Sequence, residues 1–230
     1  MNLLYPRCCP ICHRVLQDQN GLICPDCLKS LRPVEEPRCK KCGKSIEYEE
    51  EELCWDCQNR SHEFDEGRGI FPYDKVMRRS ILKYKDGGRR EYGDFYGKAL
   101  LYYGRKELAR WHPQAVLAVP IHPKKKRMRG FDQAEYLAEI VAEELKIPCL
   151  QGYVKKTKPT AAQKNLGASQ RRKNLRDSFV GLPGDWKVSS LLIIDDVYTT
   201  GSTMDAVSLQ ARLHGVEKIY FLTVCVGKGN

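Results

Sequence analysis

The residues with the most chemistry in this chain form one run, Asp195-Asp196-Val197-Tyr198-Thr199-Thr200-Gly201-Ser202-Thr203. The two carboxylates are acceptors and cannot bind phosphate themselves. They suit the paired hydroxyls of a ribose or the water shell of a Mg²⁺ ion. Four hydroxyl side chains follow, around one glycine that lets the backbone approach an anion closely. If a helix starts here, its first N–H groups have no intrahelical partners and its dipole adds partial positive charge. A phosphate site beside a diol site fits a 5-phosphosugar.

The flanking elements would hold that run in place. Leu191-Leu192-Ile193-Ile194 reads as a strand covered on both faces, because it has no polar side. The carboxylates stand where this strand should end. Met204 to Leu213 has helical spacing, and Ser202 with Asp205 resembles a capping box, so the helix starts near Ser202 or Thr203. An ordinary acidic turn is the plain alternative, yet adjacent carboxylates after a buried strand serve no packing purpose. No Gly-x-x-x-x-Gly-Lys-Ser/Thr occurs, which argues against a P-loop NTPase.

A second strand–loop–helix precedes the first. Ala115 to Val119 reads as a buried parallel strand. It leads through Pro120-Ile121-His122-Pro123 into a basic loop, Lys124 to Arg129, then to a helix from about Asp132 to Leu145. This is another anion site, or else a surface that tracks nucleic-acid phosphates. His122 could equally be a solvent-exposed loop histidine. Earlier, Val76, Ile81, Leu82 and Tyr84 suggest a helix ending at Gly87-Gly88, and Tyr92 to Leu108 suggests another. Lys83, Lys85, Arg89 and Arg90 read as surface charges, with Lys83-Tyr84-Lys85 the stretch that could face a ligand. Residues 155–179 begin without apolar period and read as a long loop, the kind that serves as a lid. Glu217 to Val226 reads as the closing strand.

The chain has 230 residues and a net charge of +10. Residues 122–176 carry 14 Lys and Arg against 5 Asp and Glu, nearly the whole excess, which points to an anionic ligand. The longest apolar runs are too short to span a membrane, and no hydrophobic signal segment opens the chain, so a cytoplasmic location is expected. In that setting the 11 cysteines read as metal ligands rather than disulfides. Cys9-x-x-Cys12 with Cys24-x-x-Cys27 recurs 30 residues later as Cys39-x-x-Cys42 with Cys54-x-x-Cys57, an internal repeat. Each Cys-x-x-Cys turn aims two thiolates at one ion, and two turns complete a tetrahedral site, so two structural Zn²⁺ ions are expected. Pairing within each repeat is the simplest; a crossed pairing has the same spacing. Residues 1–62 thus read as a double zinc ribbon and 63–230 as an α/β domain, with the boundary in the polar, Gly- and Pro-bearing stretch 58–72. Cys8 is left over, and Glu49 to Glu52 mark a solvated loop.

The carboxylate run resembles the 5-phosphoribosyl diphosphate (PRPP) signature of type I phosphoribosyltransferases: apolar run, Asp-Asp, apolar, x, Thr-Thr-Gly, x, Thr/Ser. Taken with the double Cys₄ N-terminus, Arg129-Gly130-Phe131-Asp132-Gln133-Ala134, Thr160-x-x-Gln163-x-x-Leu166 and Arg171-x-x-Asn174, the chain resembles ComF-family proteins along essentially its whole length. One departure is Asp132, where the family more often has Asn. The resemblance implies a type I phosphoribosyltransferase-like, mostly parallel sheet with helices on both faces beside the small zinc ribbon. It implies binding of PRPP with Mg²⁺ and a part in natural competence, the uptake of single-stranded DNA, with competence proteins as partners. Asp195, Asp196, Val197, Thr199, Thr200, Gly201, Ser202 and Thr203 would hold ribose and 5′-phosphate. Pro120, Ile121, His122 and Arg129 would hold the diphosphate. Asp195, Asp196 and Lys164, on the lid, are the catalytic candidates for transfer to an acceptor that the resemblance does not name. The alternatives are a non-catalytic single-stranded-DNA-binding protein, with Lys124, Lys125, Lys126, Arg127, Phe131, Arg171 and Arg172 as contacts, or a PRPP-sensing regulator.

Overall fold

The structure, a computed structural model, describes residues 6–158, 174–184 and 186–228. Lys164, Arg171, Arg172 and the central part of the expected lid lie outside the described residues. In chain order, two short helices, α1 (Pro25–Ser30) and α2 (Trp55–Gln58), sit in the cysteine-rich segment. Strand β1 (Glu66–Pro72) follows, then α3 (Lys75–Asp86), α4 (Tyr92–Tyr103) and α5 (Arg105–Trp111). Next come β2 (Ala115–Ala118), α6 (Pro123–Arg129) and α7 (Gln133–Leu145). The antiparallel pair β3 (Val154–Lys156) and β4 (Phe179–Gly181) flanks the lid segment. Strand β5 (Ser190–Tyr198), α8 (Ser202–Leu213) and β6 (Lys218–Val226) complete the chain.

Strands β1, β6, β5 and β2 form one sheet in that order, every pair parallel. Both faces are covered, which is why β5 carries an unbroken aliphatic run. Leu192, Ile194, Leu222 and Val224 face one apolar cluster, completed by Ile81 and Tyr84 of α3, Leu100 of α4 and Leu137 and Val141 of α7. Leu191, Ile193, Ile219 and Phe221 face the other, closed by Met204, Val207 and Ala211 of α8. The expected mostly parallel sheet with helices on both faces is the one observed.

Four local expectations are corrected. The stretch read as a linker contains β1, fully paired with β6. Its glycines signal close packing, not a loop: a Cβ on Gly67 would lie 1.9 Å from the Phe221 ring, and one on Gly69 would lie 2.3 Å from Val226. The Tyr92–Leu108 helix breaks into α4 and α5 at Gly104, whose φ −88° and ψ 1° leave the helical range; a Cβ there would lie 2.5 Å from the Leu100 carbonyl, which calls for glycine. The basic loop is helix α6, started by Pro123 behind a His122 cap and stopped by Gly130 at φ 81°. Asp205 makes no capping box; its carboxylate is used elsewhere, as described below. Gly67→Ala is expected to destabilise the fold by about 2–3 kcal/mol, because Phe221 is locked between Phe64 and Tyr198. A thermal unfolding midpoint equal to wild type would show that the ring can move aside.

The structure settles the cysteine pairing. The Sγ atoms of Cys9, Cys12, Cys24 and Cys27 lie within 4.8 Å of one another, as do those of Cys39, Cys42, Cys54 and Cys57. The Sγ separations Cys12–Cys24, 3.8 Å, and Cys42–Cys54, 3.6 Å, match the edge of a tetrahedron with Zn–S bonds of about 2.3 Å. Both sets therefore fit zinc within each repeat. Cys8 is a buried member of the first apolar cluster.

The two ribbons straddle the outer edge of β1. Val34, between them, donates to the Ile70 carbonyl (2.7 Å), and Gly67 donates to Lys41 (2.9 Å). These bonds cover an edge that would otherwise be open to pairing with another chain. Ile11, Leu22 and Ile23 of the first ribbon pack on the α3–α4 side. Cys39, Cys42, Cys54 and Cys57 of the second belong to the α8 side.

Candidate functional site

Where β2 ends, β5 goes on. Ala118 pairs with Ile194, and Val119 still donates to the Ile194 carbonyl (2.9 Å). Beyond that point β5 runs on to Tyr198 beside β6 alone. The carboxylates are thus inside the strand, not after it, and their flank is open because the neighbour has left. From β2 the chain crosses to the α7 face, and from β5 to the α8 face. That divergence opens a crevice at the carboxyl ends of the strands, where α/β sheets bind ligands.

The cleft has a volume of about 560 Å³. Asp195, Asp196, Val197, Thr199 and Thr203 line one side. Pro120, Ile121, His122 and Arg129 line the other, with Lys124, Lys125 and Met128 of α6. Two stretches far apart in sequence are thereby brought to one crevice. Thr200, Gly201 and Ser202 complete the loop behind its wall, with Thr200 Oγ1 and Ser202 Oγ 3.1 Å apart.

Gly201 turns the chain at φ 79° and serves as the N-cap of α8. Its carbonyl accepts from Asp205 N (2.7 Å). Among the described residues, the backbone N–H groups of Thr199 to Thr203 have no hydrogen-bond partner. The loop therefore keeps an open row of donors beside the cleft.

Charge in the cleft is tightly arranged. Lys85 Nζ lies 2.7 Å from Asp196 Oδ1. Burial opposes the Lys85 ammonium, but Asp196 and Asp195 outweigh it and hold its pKa above the ordinary lysine value. Burial, then repulsion from Asp196, pushes the Asp195 carboxyl up to about 8. Lys156 also lines the cleft, and burial followed by Lys125 lowers its pKa. Arg129 is already engaged with Asp86 (2.8 Å) and Gln133 (2.7 Å). Asp132 accounts for its own residue type. One of its oxygens accepts from Ala134 and Glu135 at the start of α7, and the other from Ile121 N at 3.1 Å. Both must be acceptors, which a carboxylate supplies and an amide does not. Asp132 thus ties the 120–122 turn to α7.

The residues that the motif reading left out come from three other segments. Tyr73 and Lys156 line the cleft from the ends of β1 and β3, and Lys85 does so from the last turn of α3. Lys85 sits next to the fully buried Tyr84, so helical geometry puts it at the rim of the core; that spacing was the available signal. His62 lies behind the donor loop. Its Nδ1 pairs with Asp205 (3.0 Å), its ring stacks on Phe64, and Asp205 also accepts from Glu63 N (3.0 Å). A Cβ on Gly201 would meet the Tyr198 hydroxyl at 2.7 Å and His62 at 2.9 Å.

Of the nucleic-acid candidates, Lys124, Lys125, Lys126 and Arg127 are exposed on α6, and Lys126 pairs with Glu135. Phe131 packs edge-on against Tyr84, 5.4 Å between centroids, at the margin of the core. Among the described residues no helix is long and apolar enough to cross a membrane.

The double zinc ribbon domain family matches residues 1–58. Competence protein F of Haemophilus influenzae is 35% identical over 126 residues, covering 52% of this chain and 55% of that protein. Competence protein ComFC of Streptococcus pneumoniae is 28% identical over 141 residues, covering 61% and 59%. The chain is thus similar to ComF-type competence proteins over about half to three fifths of its length. DNA utilization protein YhgH of Escherichia coli K12 is 29% identical over 114 residues, 49% of each chain. The chain spans about half the length of the curated relatives it matches. Among solved structures, a purine phosphoribosyltransferase from Pyrococcus horikoshii aligns with 59% of this chain and 85% of its own, at 17% identity and a TM-score of 0.32. That likeness is too slight to bear on function.

Proposed function

We propose that the cleft binds PRPP and that this chain is a ComF-type, phosphoribosyltransferase-like protein acting in natural competence. One observation carries the reading: the unpartnered amides of Thr199 to Thr203 stand at the end of the same strand that presents Asp195 and Asp196. The amides and hydroxyls would take the 5′-phosphate, and the carboxylates would accept from the ribose hydroxyls. Across the cleft, the 120–122 turn, Lys125 and Arg129 would face the diphosphate. Mg²⁺ would enter as the diphosphate's escort, its waters oriented by Asp195. The chain's contribution to a transfer would be positioning the sugar and neutralising the leaving diphosphate. The names of the relatives support the competence role. Titration of the protein with PRPP and Mg²⁺ should release measurable heat and raise the unfolding midpoint. Absence of both sinks the proposal.

A second activity is favoured by α6, where Lys124, Lys125 and Arg127 are exposed and have no ion-pair partner among the described residues. This row would track the phosphates of single-stranded DNA. Affinity for an oligonucleotide, followed by fluorescence anisotropy, should fall steeply with salt. Changing all three to Ala should flatten that slope by about 2 in log–log terms. An unchanged slope rules α6 out as the track.

A further inference from the structure

The adjacent carboxylates of the cleft pose an electrostatic problem. Ionised carboxylates are the stronger acceptors for sugar hydroxyls, yet two of them side by side in a crevice repel each other. A divalent cation is one remedy. This chain carries another. Lys85 Nζ is 2.7 Å from Asp196 Oδ1, with the lysine side chain 24% and the aspartate side chain 9% exposed. Its field reaches Asp195 as well, where it works against the rise in that carboxyl's pKa.

The position is built, not incidental. Asp74 caps α3 by accepting from Met77 N (2.8 Å), and Ile81 and Tyr84 bury the helix face. The Tyr84 hydroxyl donates to the Gln133 carbonyl (2.9 Å), which fixes the last turn of α3 against α7. Lys85 is the residue after that anchor. Among the described residues no other cation of the cleft forms an ion pair with these carboxylates: Arg129 is held by Asp86 and Gln133, and Lys156 lies over the Phe179 ring at 4.9 Å.

We infer that Lys85 is the resident counter-cation of the Asp195–Asp196 pair, so that the cleft takes up its phosphosugar without needing a divalent metal ion. This deepens the phosphosugar reading and rests on it. Mg²⁺ then acts on the diphosphate it accompanies, and the sugar-binding carboxylates are already neutralised. Only one oxygen of Asp196 is spent on the ammonium. Asp195 Oδ1 accepts from Asp196 N (2.8 Å), so the second oxygen of each carboxylate stays available to hydroxyls.

The test is calorimetric titration with ribose 5-phosphate and with PRPP, each in Mg²⁺-free buffer without chelator, so that the zinc sites stay filled, and in millimolar Mg²⁺. Wild-type protein should bind ribose 5-phosphate equally in both buffers, and PRPP within about threefold. Lys85→Met should lose about tenfold or more in Mg²⁺-free buffer and recover most of it in Mg²⁺, which replaces the lost charge. Lys85→Arg should keep metal-independent binding. Zinc content and the unfolding midpoint report whether each variant is folded; if Lys85→Met is not, the wild-type comparison and Lys85→Arg still decide. Wild-type binding that requires Mg²⁺, or Lys85→Met binding like wild type in Mg²⁺-free buffer, overturns the inference while leaving a phosphosugar site. Absence of binding in both buffers overturns the phosphosugar reading and this inference with it.

Discussion

Cys42→Ser should remove one zinc ion per chain and with it nearly all binding of PRPP, whereas Cys12→Ser should remove one zinc and leave that binding within about tenfold. The asymmetry follows from which ribbon stands behind the donor loop. Cys42 is fully buried and shares an apolar cluster with Phe64, Tyr198 and Phe221. Lys44 reaches from the second ribbon over the Tyr198 ring (5.9 Å) while forming a buried pair with Asp56 (2.6 Å). His62, in the segment that follows, pins Asp205 in the first turn of α8. Tyr198 and His62 together back Gly201, so the loop keeps its shape only while this packing holds.

A structural zinc site contributes about 10–16 kcal/mol to folding in isolated zinc-finger peptides. That matches or exceeds the net stability of a typical domain, about 5–15 kcal/mol, so losing one should unfold its ribbon at the least. The first ribbon packs on the opposite side of the sheet, against Tyr92 through His13 (3.0 Å) and Asp94 through Arg7. Metal analysis, calorimetry and hydrogen exchange of the α8 N-terminus would report the three effects separately. Wild-type affinity in Cys42→Ser would show that the loop stands without its backing.

Asp195→Asn should produce opposite changes in binding and stability. Binding of the phosphosugar should be lost, because the amide replaces an acceptor oxygen by a donor in front of the ribose hydroxyls. The unliganded protein should meanwhile become more stable at alkaline pH. The Asp195 carboxyl is raised to about 8 in the folded protein, above its ordinary value of 3.8. A raised carboxyl favours the folded state below its unfolded value, and that contribution is lost as pH rises toward 8. The variant cannot ionise and keeps its contribution. The full shift would convert to roughly 5–6 kcal/mol. Asp195 is only partly buried and lines the cleft, so a gain of about 2 kcal/mol is expected, or roughly 4–8 °C in the unfolding midpoint. The gain should appear between pH 4 and pH 8 and be absent in acid. A midpoint that falls at pH 8.5, measured by calorimetry in buffers on the order of pH 4 to 9, would show that the ionised carboxylate is needed structurally.

The sequence by itself determined the parts that depend on neighbouring residues. Eight cysteines in register specify two S₄ sites, because a Cys-x-x-Cys turn places its own ligands. The aliphatic run of β5 and the Thr-Thr-Gly loop before α8 were legible because burial pattern and turn chemistry are local properties. What the tertiary structure alone decided concerns contacts across long separations. Gly67 and Gly69 look like loop residues until Phe221 and Val226 occupy the space of their missing side chains. Spacing allowed either cysteine pairing; the distances between turns chose one. Lys85 looked like a surface charge with a ligand-facing option, and Asp196 waited for a cation more than a hundred residues away. Helix packing joins them, and side-chain order along a chain carries no record of which helix will rest on which strand end.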